Sequence, residues 1–206
     1  IQNGGLIVQY MAQPIFQIFL GLNPALFGLA MTIPRIWDAF TDPVMGRISD
    51  RSQSRYGRRR PYVFVGALAV ALTFLTIWMV PQSMGDTGTF LWLTIGSVLF
   101  FTAFTVFSVP FNALVYEQTP DYHERTRIMF YLALFYNIGN LCVNWYVPAT
   151  NWNGFENPLV GARWIALGLA LVVFLGMGIL PAIFGKERFY KVAQNENKDI
   201  GFIKAI

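Results

Sequence analysis

The chain has one cysteine, Cys142, and one histidine, His123, in 206 residues. A lone thiol makes no disulfide framework and no thiolate metal cluster, and one imidazole with no nucleophile in reach leaves little room for an enzyme. Charge is scarce as well: Asp, Glu, Lys and Arg make up 13% of the chain against 55% hydrophobic residues, about half the charged share of ordinary soluble domains. A polar lead-in is missing too. The chain starts at Ile1 rather than Met and runs almost at once into apolar sequence, so it reads as clipped at the N-terminus, with no cleavable signal.

Long apolar runs are abundant. Six stretches of 18 to 27 residues, Gly5 to Leu22, Pro24 to Ile48, Pro61 to Val80, Thr89 to Val115, Ile128 to Pro148 and Ala162 to Phe184, are each expected to cross a bilayer, whose hydrocarbon core is about 30 Å thick. The expected fold is an all-α integral membrane bundle of six transmembrane helices over residues 1–185, with residues 186–206 as a cytoplasmic linker or the start of a central loop. The net charge of +4 does not point to nucleic acid, because 13 of the 15 Lys and Arg fall in Arg47 to Arg60, Arg125 to Arg127 or the tail from Lys186 onward. These segments alternate with nearly uncharged connections, so the positive-inside rule puts both ends and the basic loops in the cytoplasm, with the bundle in the cell's inner (plasma) membrane. Arg163 is the one basic residue expected on the far side.

Within the second stretch, Pro34-Arg35-Ile36-Trp37-Asp38-Ala39-Phe40-Thr41-Asp42-Pro43 carries three ionisable side chains at bilayer depth, where charge is costly and usually marks a transport pathway or ion site. At about 100° per residue, Arg35, Asp38 and Asp42 lie within about 60° of one another on a helix. Arg35 can balance one of the two carboxylates. A bound Na+ or a proton would balance the other. Pro34 and Pro43 release the carbonyls of Ala30 and Ala39, which need protein, water or a cation, or else the prolines are simple kinks.

Gln9, Gln13 and Gln17 repeat every four residues and form a polar stripe, either a solute-facing wall or interhelical packing bonds. The fourth stretch brings Thr105, Ser108 and Asn112 to one face, able to complete an ion's coordination or to bond back to their own helix. In the fifth, Asn137, Asn140 and Asn144 align as a possible extension of that wall. Gly168, Gly176 and Gly178 in the sixth suit close helix packing. An orientation signal with contacts to anionic lipid would explain the arginines of the loop Gly46 to Pro61 but not Asp50 at a helix end or the flanking glycines, which suit a tight interhelical turn.

Trp37-Asp38-Ala39-Phe40-Thr41-Asp42-Pro43-Val44-Met45-Gly46, followed by Gly57-Arg58-Arg59-Arg60-Pro61-Tyr62, closely resembles the second-helix and loop signature of the glycoside-pentoside-hexuronide:cation symporters, the melibiose-permease-like branch of the major facilitator superfamily. Val109-Pro110-Phe111-Asn112-Ala113-Leu114 and Asp121-Tyr122-His123-Glu124-Arg125-Thr126-Arg127 resemble that family's fourth helix and following loop. The resemblance covers the chain as the first six of twelve helices and implies a missing C-terminal six-helix half as partner. It implies Asp38 and Asp42 as cation-binding carboxylates, with Thr41, Thr105 and Ser108 beside them. Gln2, Gln9, Gln13, Arg35 and Asn112 are the expected solute-binding residues, and Asp50, Arg51, Arg58 and Arg59 the expected cytoplasmic gate. The chain departs from the family where its first-helix sugar acid falls on Gln2, its stacking tryptophan on Asn112, its extra fourth-helix acid on Ser108 and its fifth-helix sugar arginine on Ala133.

The expected activity is therefore symport of a sugar, glycoside or related polar solute with Na+ or H+, without a further cofactor. An uncoupled facilitator or lipid-type carrier on the same scaffold is the alternative within transport, and a non-transporting sensor or assembly subunit is the alternative outside it.

Overall fold

The computed structural model describes residues 4–184 except 53, 55, 56, 118–120 and 153. Gln2 and the 186–206 tail lie outside the described residues. The described chain is helical: α1 (Gly4–Ala12) running into a π-helical segment (Gln13–Phe19), α2 (Pro24–Arg51), α3 (Arg60–Trp78), α4 (Asp86–Tyr116), α5 (Tyr122–Asn144), the short α6 (Tyr146–Thr150), α7 (Pro158–Leu169), a second π-helical segment (Ala170–Met177) and α8 (Gly178–Phe184). Sequence chemistry sets several of the starts. Asn23, Asp121 and Asn157 cap α2, α5 and α7 by accepting from Ala25, His123 and Val160 amides, and Pro24, Pro61 and Pro158 occupy first-turn positions whose N–H has no helical partner anyway.

Three helices are long and apolar enough to cross a membrane: Arg60–Trp78, Asp86–Tyr116 and Pro158–Ile183, the last running through α7, the π segment and α8. The other three expected spans do not reach that standard among the described residues. The described part of the first is a short rod, 4–19. In α2, with its 28 residues, and α5, with its 23, the ionisable and amide side chains that mark them as functional also dilute their hydropathy.

At the centre lies α4, packed against α3 on one side and α2 on the other. The core gathers Val8, Met11, Ile15 and Phe16 before and within the first π segment, Phe74, Ile77 and Trp78 of α3, Leu93 and Phe100 of α4, and Leu159, Ala162 and Ala166 of α7. Phe74 joins it together, with ring centroids 5.8 Å from Trp78, 5.7 Å from Phe100 and 5.1 Å from Phe174. Since lipid tails are as apolar as these side chains, close fit rather than exclusion of water holds the helices together. The closest approach is at Gly66, where an added Cβ would stand 2.7 Å from Phe107 Cα. Of the three glycines expected to pack, only Gly178 does so, against Ala67. Gly168 faces open space and Gly176 meets only the Leu171 carbonyl of its own helix.

Two arginines fasten α3 to the final helical rod at both ends. Arg60, opening α3, donates to the carbonyls of Ala182 and Ile183. Arg163, near the start of α7, donates to the carbonyls of Trp78 and Val80 at 3.0 Å each. Both guanidiniums sit where a helix C-terminus leaves carbonyls unpaired. By contrast, no residue of α5 is buried.

Candidate functional site

Helix α2 continues through Pro34 and Pro43, and its buried residues Phe27, Ala30, Pro34, Met45 and Ser49 define its inward face. Asp38 stands eleven residues after Phe27 and seven before Met45, spacings that place it on that same face. Its side chain is half-buried, and Oδ1 is buried with no hydrogen-bond partner. One turn on, Asp42 Oδ1 accepts a hydrogen bond from the Thr105 hydroxyl of α4 at 2.9 Å. The carboxylates thus turn toward the α2–α4 seam.

The same seam is pinned at two further points. Trp37 Nε1 donates to Thr102 Oγ1 at 2.9 Å, and Arg35 Cζ lies 4.9 Å from the centroid of the Phe101 ring. Arg35, Trp37 and Asp42 meet Phe101, Thr102 and Thr105 in ascending order, so α2 and α4 run parallel here. Arg35 makes no ion pair within 4.0 Å of Asp38 or Asp42 among the described residues, and its charge acts on Asp38 from beyond contact distance. The cause lies in helix geometry: side chains tilt toward the helix N-terminus, so Arg35 reaches back to Phe101, away from carboxylates that follow it in sequence.

The other expected ion ligands divide. The Thr41 hydroxyl bonds back to its own helix at the carbonyls of Trp37 and Asp38, 3.3 and 3.5 Å away. Ser108 is buried one turn beyond Thr105, and neither it nor the half-buried Asn112 makes a hydrogen bond among the described residues. No group of three or more His, Cys, Asp or Glu able to hold a metal occurs among the described residues. The oxygens brought together at the α2–α4 seam are those of the Asp42 carboxylate and the Thr105 hydroxyl, with the buried Asp38 Oδ1 one turn earlier on α2.

On the first helix, Gln9 and Gln13 are exposed and Gln17 is half-buried, while Val8, Met11, Ala12, Ile15 and Phe16 fill the core on the other face. The stripe therefore looks away from this core. On α5, the Asn137 and Asn144 amides donate to the carbonyls of Ala133 and Asn140, so those two donors are committed to their own helix.

At the basic end, Arg59 is buried and bridges Asp50, at the end of α2, to Glu117, at the end of α4. Arg58 adds a 2.8 Å bond to Glu117. Of the expected gate residues, Asp50, Arg58 and Arg59 come together, whereas Arg51 is exposed and outside the cluster. Glu117 was not among the expected gate residues. Its signal is position: it is the first acidic or basic residue after Asp86, just past the fourth apolar stretch.

Comparison with known proteins gives the family. The family described as MFS/sugar transport protein matches residues 5–206. The chain is 27% identical to the inner membrane symporter YicJ of Escherichia coli over 82% of this chain and 36% of YicJ. It is 34% identical to the uncharacterized symporter YnaJ of Bacillus subtilis over 62% of this chain and 27% of YnaJ. It is 33% identical to the mouse sodium-dependent lysophosphatidylcholine symporter 1 over 50% of this chain and 20% of that protein. The chain spans about a third or less of the length of these relatives.

Proposed function

Because the chain belongs to the MFS/sugar transport protein family, a family of multi-pass membrane transporters, we propose that it forms the N-terminal six-helix half of a secondary transporter that couples Na+ or H+ to uptake of a sugar, glycoside or related polar solute. The observation that carries this is the buried, unpartnered Asp38 Oδ1 beside the Asp42–Thr105 bond. A buried carboxylate oxygen without a donor is costly and calls for a cation.

With the ion absent, two carboxylates one turn apart repel each other and resist being sealed from water. An ion held by Asp38 and Asp42, with Thr105, Thr41 or Ser108 oxygens completing its shell, removes that resistance and draws α2 onto α4. Closure around the solute then becomes favourable, and rocking against the other half opens the site to the opposite side. The exposed Arg35, Gln9 and Gln13 and the unburied α5 are the surfaces that half would cover. The Asp50–Arg59–Glu117–Arg58 cluster ties the cytoplasmic ends of α2 and α4 and would open and close with the cycle.

A lipid-type solute is the second reading, favoured by a groove of about 270 Å³ lined by Ile33, Ile36, Trp37, Phe40 and Val98 along the α2–α4 seam. Uptake of labelled glycosides and lysolipids by the intact transporter, with and without a Na+ gradient, separates the readings. Gradient-dependent glycoside uptake supports the first, gradient-dependent lysolipid uptake supports the second, and uptake indifferent to any cation gradient refutes coupling.

A further inference from the structure

We infer that α2 carries a site for an anionic phospholipid of the leaflet at its basic end, with the phosphate on Arg47 and Arg51 and one acyl chain in the groove beside Trp37. The inference rests on the chain's being a membrane protein and not on coupled transport, because this lipid is a bound component and not a solute. The groove of about 270 Å³ is lined by Ile33, Ile36, Trp37 and Phe40 of α2 and Val98 of α4. Its α2 side chains are exposed, from 39% for Ile33 to 68% for Phe40. Arg47 and Arg51 follow Phe40 by seven and eleven residues, so at about 100° per residue both return to within about 20° of it. The exposed Val44 fills the turn between. One continuous stripe therefore runs from an apolar trough to two guanidiniums.

Both arginines are exposed, and neither makes a hydrogen bond or ion pair among the described residues. Asp50, three residues after Arg47, turns to Arg59 instead. Two guanidiniums one turn apart suit a phosphate, whose oxygens accept paired N–H bonds from each fork. Arg51, which the Asp50–Arg59–Glu117 cluster leaves out, thereby gains a partner. Distance fits as well. Phe40 lies about 10 Å and Ile36 about 17 Å along the helix axis from Arg47, against about 15 Å for half the hydrocarbon core. A chain descending from a phosphate at Arg47 thus reaches the groove within its own leaflet. Trp37 Nε1 is already donated to Thr102, so the indole brings no unmet donor into the groove. The solute side lies elsewhere: Arg35 stands about 160° around α2 from Ile33 and Trp37, on the flank with Phe101. By touching Val98 as well as α2, the lipid braces the seam from the membrane side.

The test is retention of lipid by the intact transporter, read by native mass spectrometry from mixed micelles holding dioleoyl phosphatidylglycerol and dioleoyl phosphatidylcholine in equal amounts. The expected result is a preference of about 10- to 30-fold for phosphatidylglycerol, the size of two arginines beside an anionic headgroup. Arg47→Gln combined with Arg51→Gln should abolish it, and Phe40→Ser should weaken retention of both lipids alike. All three side chains are exposed, so the variants keep the fold. Equal retention of the two lipids by wild type overturns the inference, as does an undiminished preference in the arginine variant. Indifference to Phe40→Ser overturns the groove as the seat of the acyl chain. In proteoliposomes, labelled phosphatidylglycerol should stay in its leaflet when a cation gradient is applied; gradient-dependent transfer would make it a solute and overturn its resident role. Uptake of every solute indifferent to cations would refute the symporter reading alone and leave this site standing.

Discussion

The Thr105 hydroxyl on α4 reaches Asp42 Oδ1 on α2 across 2.9 Å. It joins the charged face of α2 to the central helix of the bundle and orients Asp42 next to the unpartnered Asp38 oxygen.

Thr105→Ala removes both this donor and an oxygen from the proposed ion shell. Cation affinity should fall about tenfold, the effect of one hydrogen bond to a charged group. Thr105→Ser should recover most of it. Na+ titration of the melting temperature in detergent measures both, and equal affinity in wild type and Thr105→Ala would remove Thr105 from the site.

Gly66 and Gly168 make a contrasting pair. A Cβ at Gly66 meets the Phe107 backbone at 2.7 Å, and backbone cannot move aside as a side chain can. Gly66→Ala should cost about 1 to 3 kcal/mol by overpacking. Gly168→Ala, facing open space, should be neutral or stabilising by up to about 1 kcal/mol, since alanine is the better helix former. Thermal unfolding of the two variants compares them directly.

Arg60 and Arg163 hold opposite ends of α3 to the last helical rod. Arg60→Gln and Arg163→Gln should each cost about 1.5 to 3 kcal/mol, typical of hydrogen bonds to charged groups. Over a 19-residue helix the two sites are about 28 Å apart, so the double variant should show the sum of the single effects. A double variant no worse than either single would mean that the two contacts fail as one unit.

The carboxylate face of α2 was legible because its chemistry is local. Arg35, Asp38 and Asp42 share a helix, and 3.6-residue periodicity puts them on one side whatever the tertiary structure. Thr105 was legible for the same reason, as a hydroxyl inside an apolar stretch. What the sequence did not show is which groups touch. Arg35 and Asp38 have ion-pair spacing, yet side-chain tilt and Phe101, 66 residues on, draw the guanidinium away. The close approach at Gly66 and the choice of Arg58 and Arg59 as partners of Glu117 were not legible, because both are set by how α3 crosses α4. The glycines of the final rod misled for the same reason: small size permits close approach, but only the crossing point decides which one is used. The transmembrane count fell short because α2 and α5 carry the polar residues that make them of interest.

The central claim is that Asp38 binds the coupling ion. The most direct measurement is the melting temperature of the intact transporter in NaCl against choline chloride at equal ionic strength, for wild type and Asp38→Asn. With Na+ as the coupling ion at about 100 times its Kd, wild type should gain about 2.7 kcal/mol of apparent stability, and Asp38→Asn should gain none. An equal Na+ response in both proteins would contradict the account.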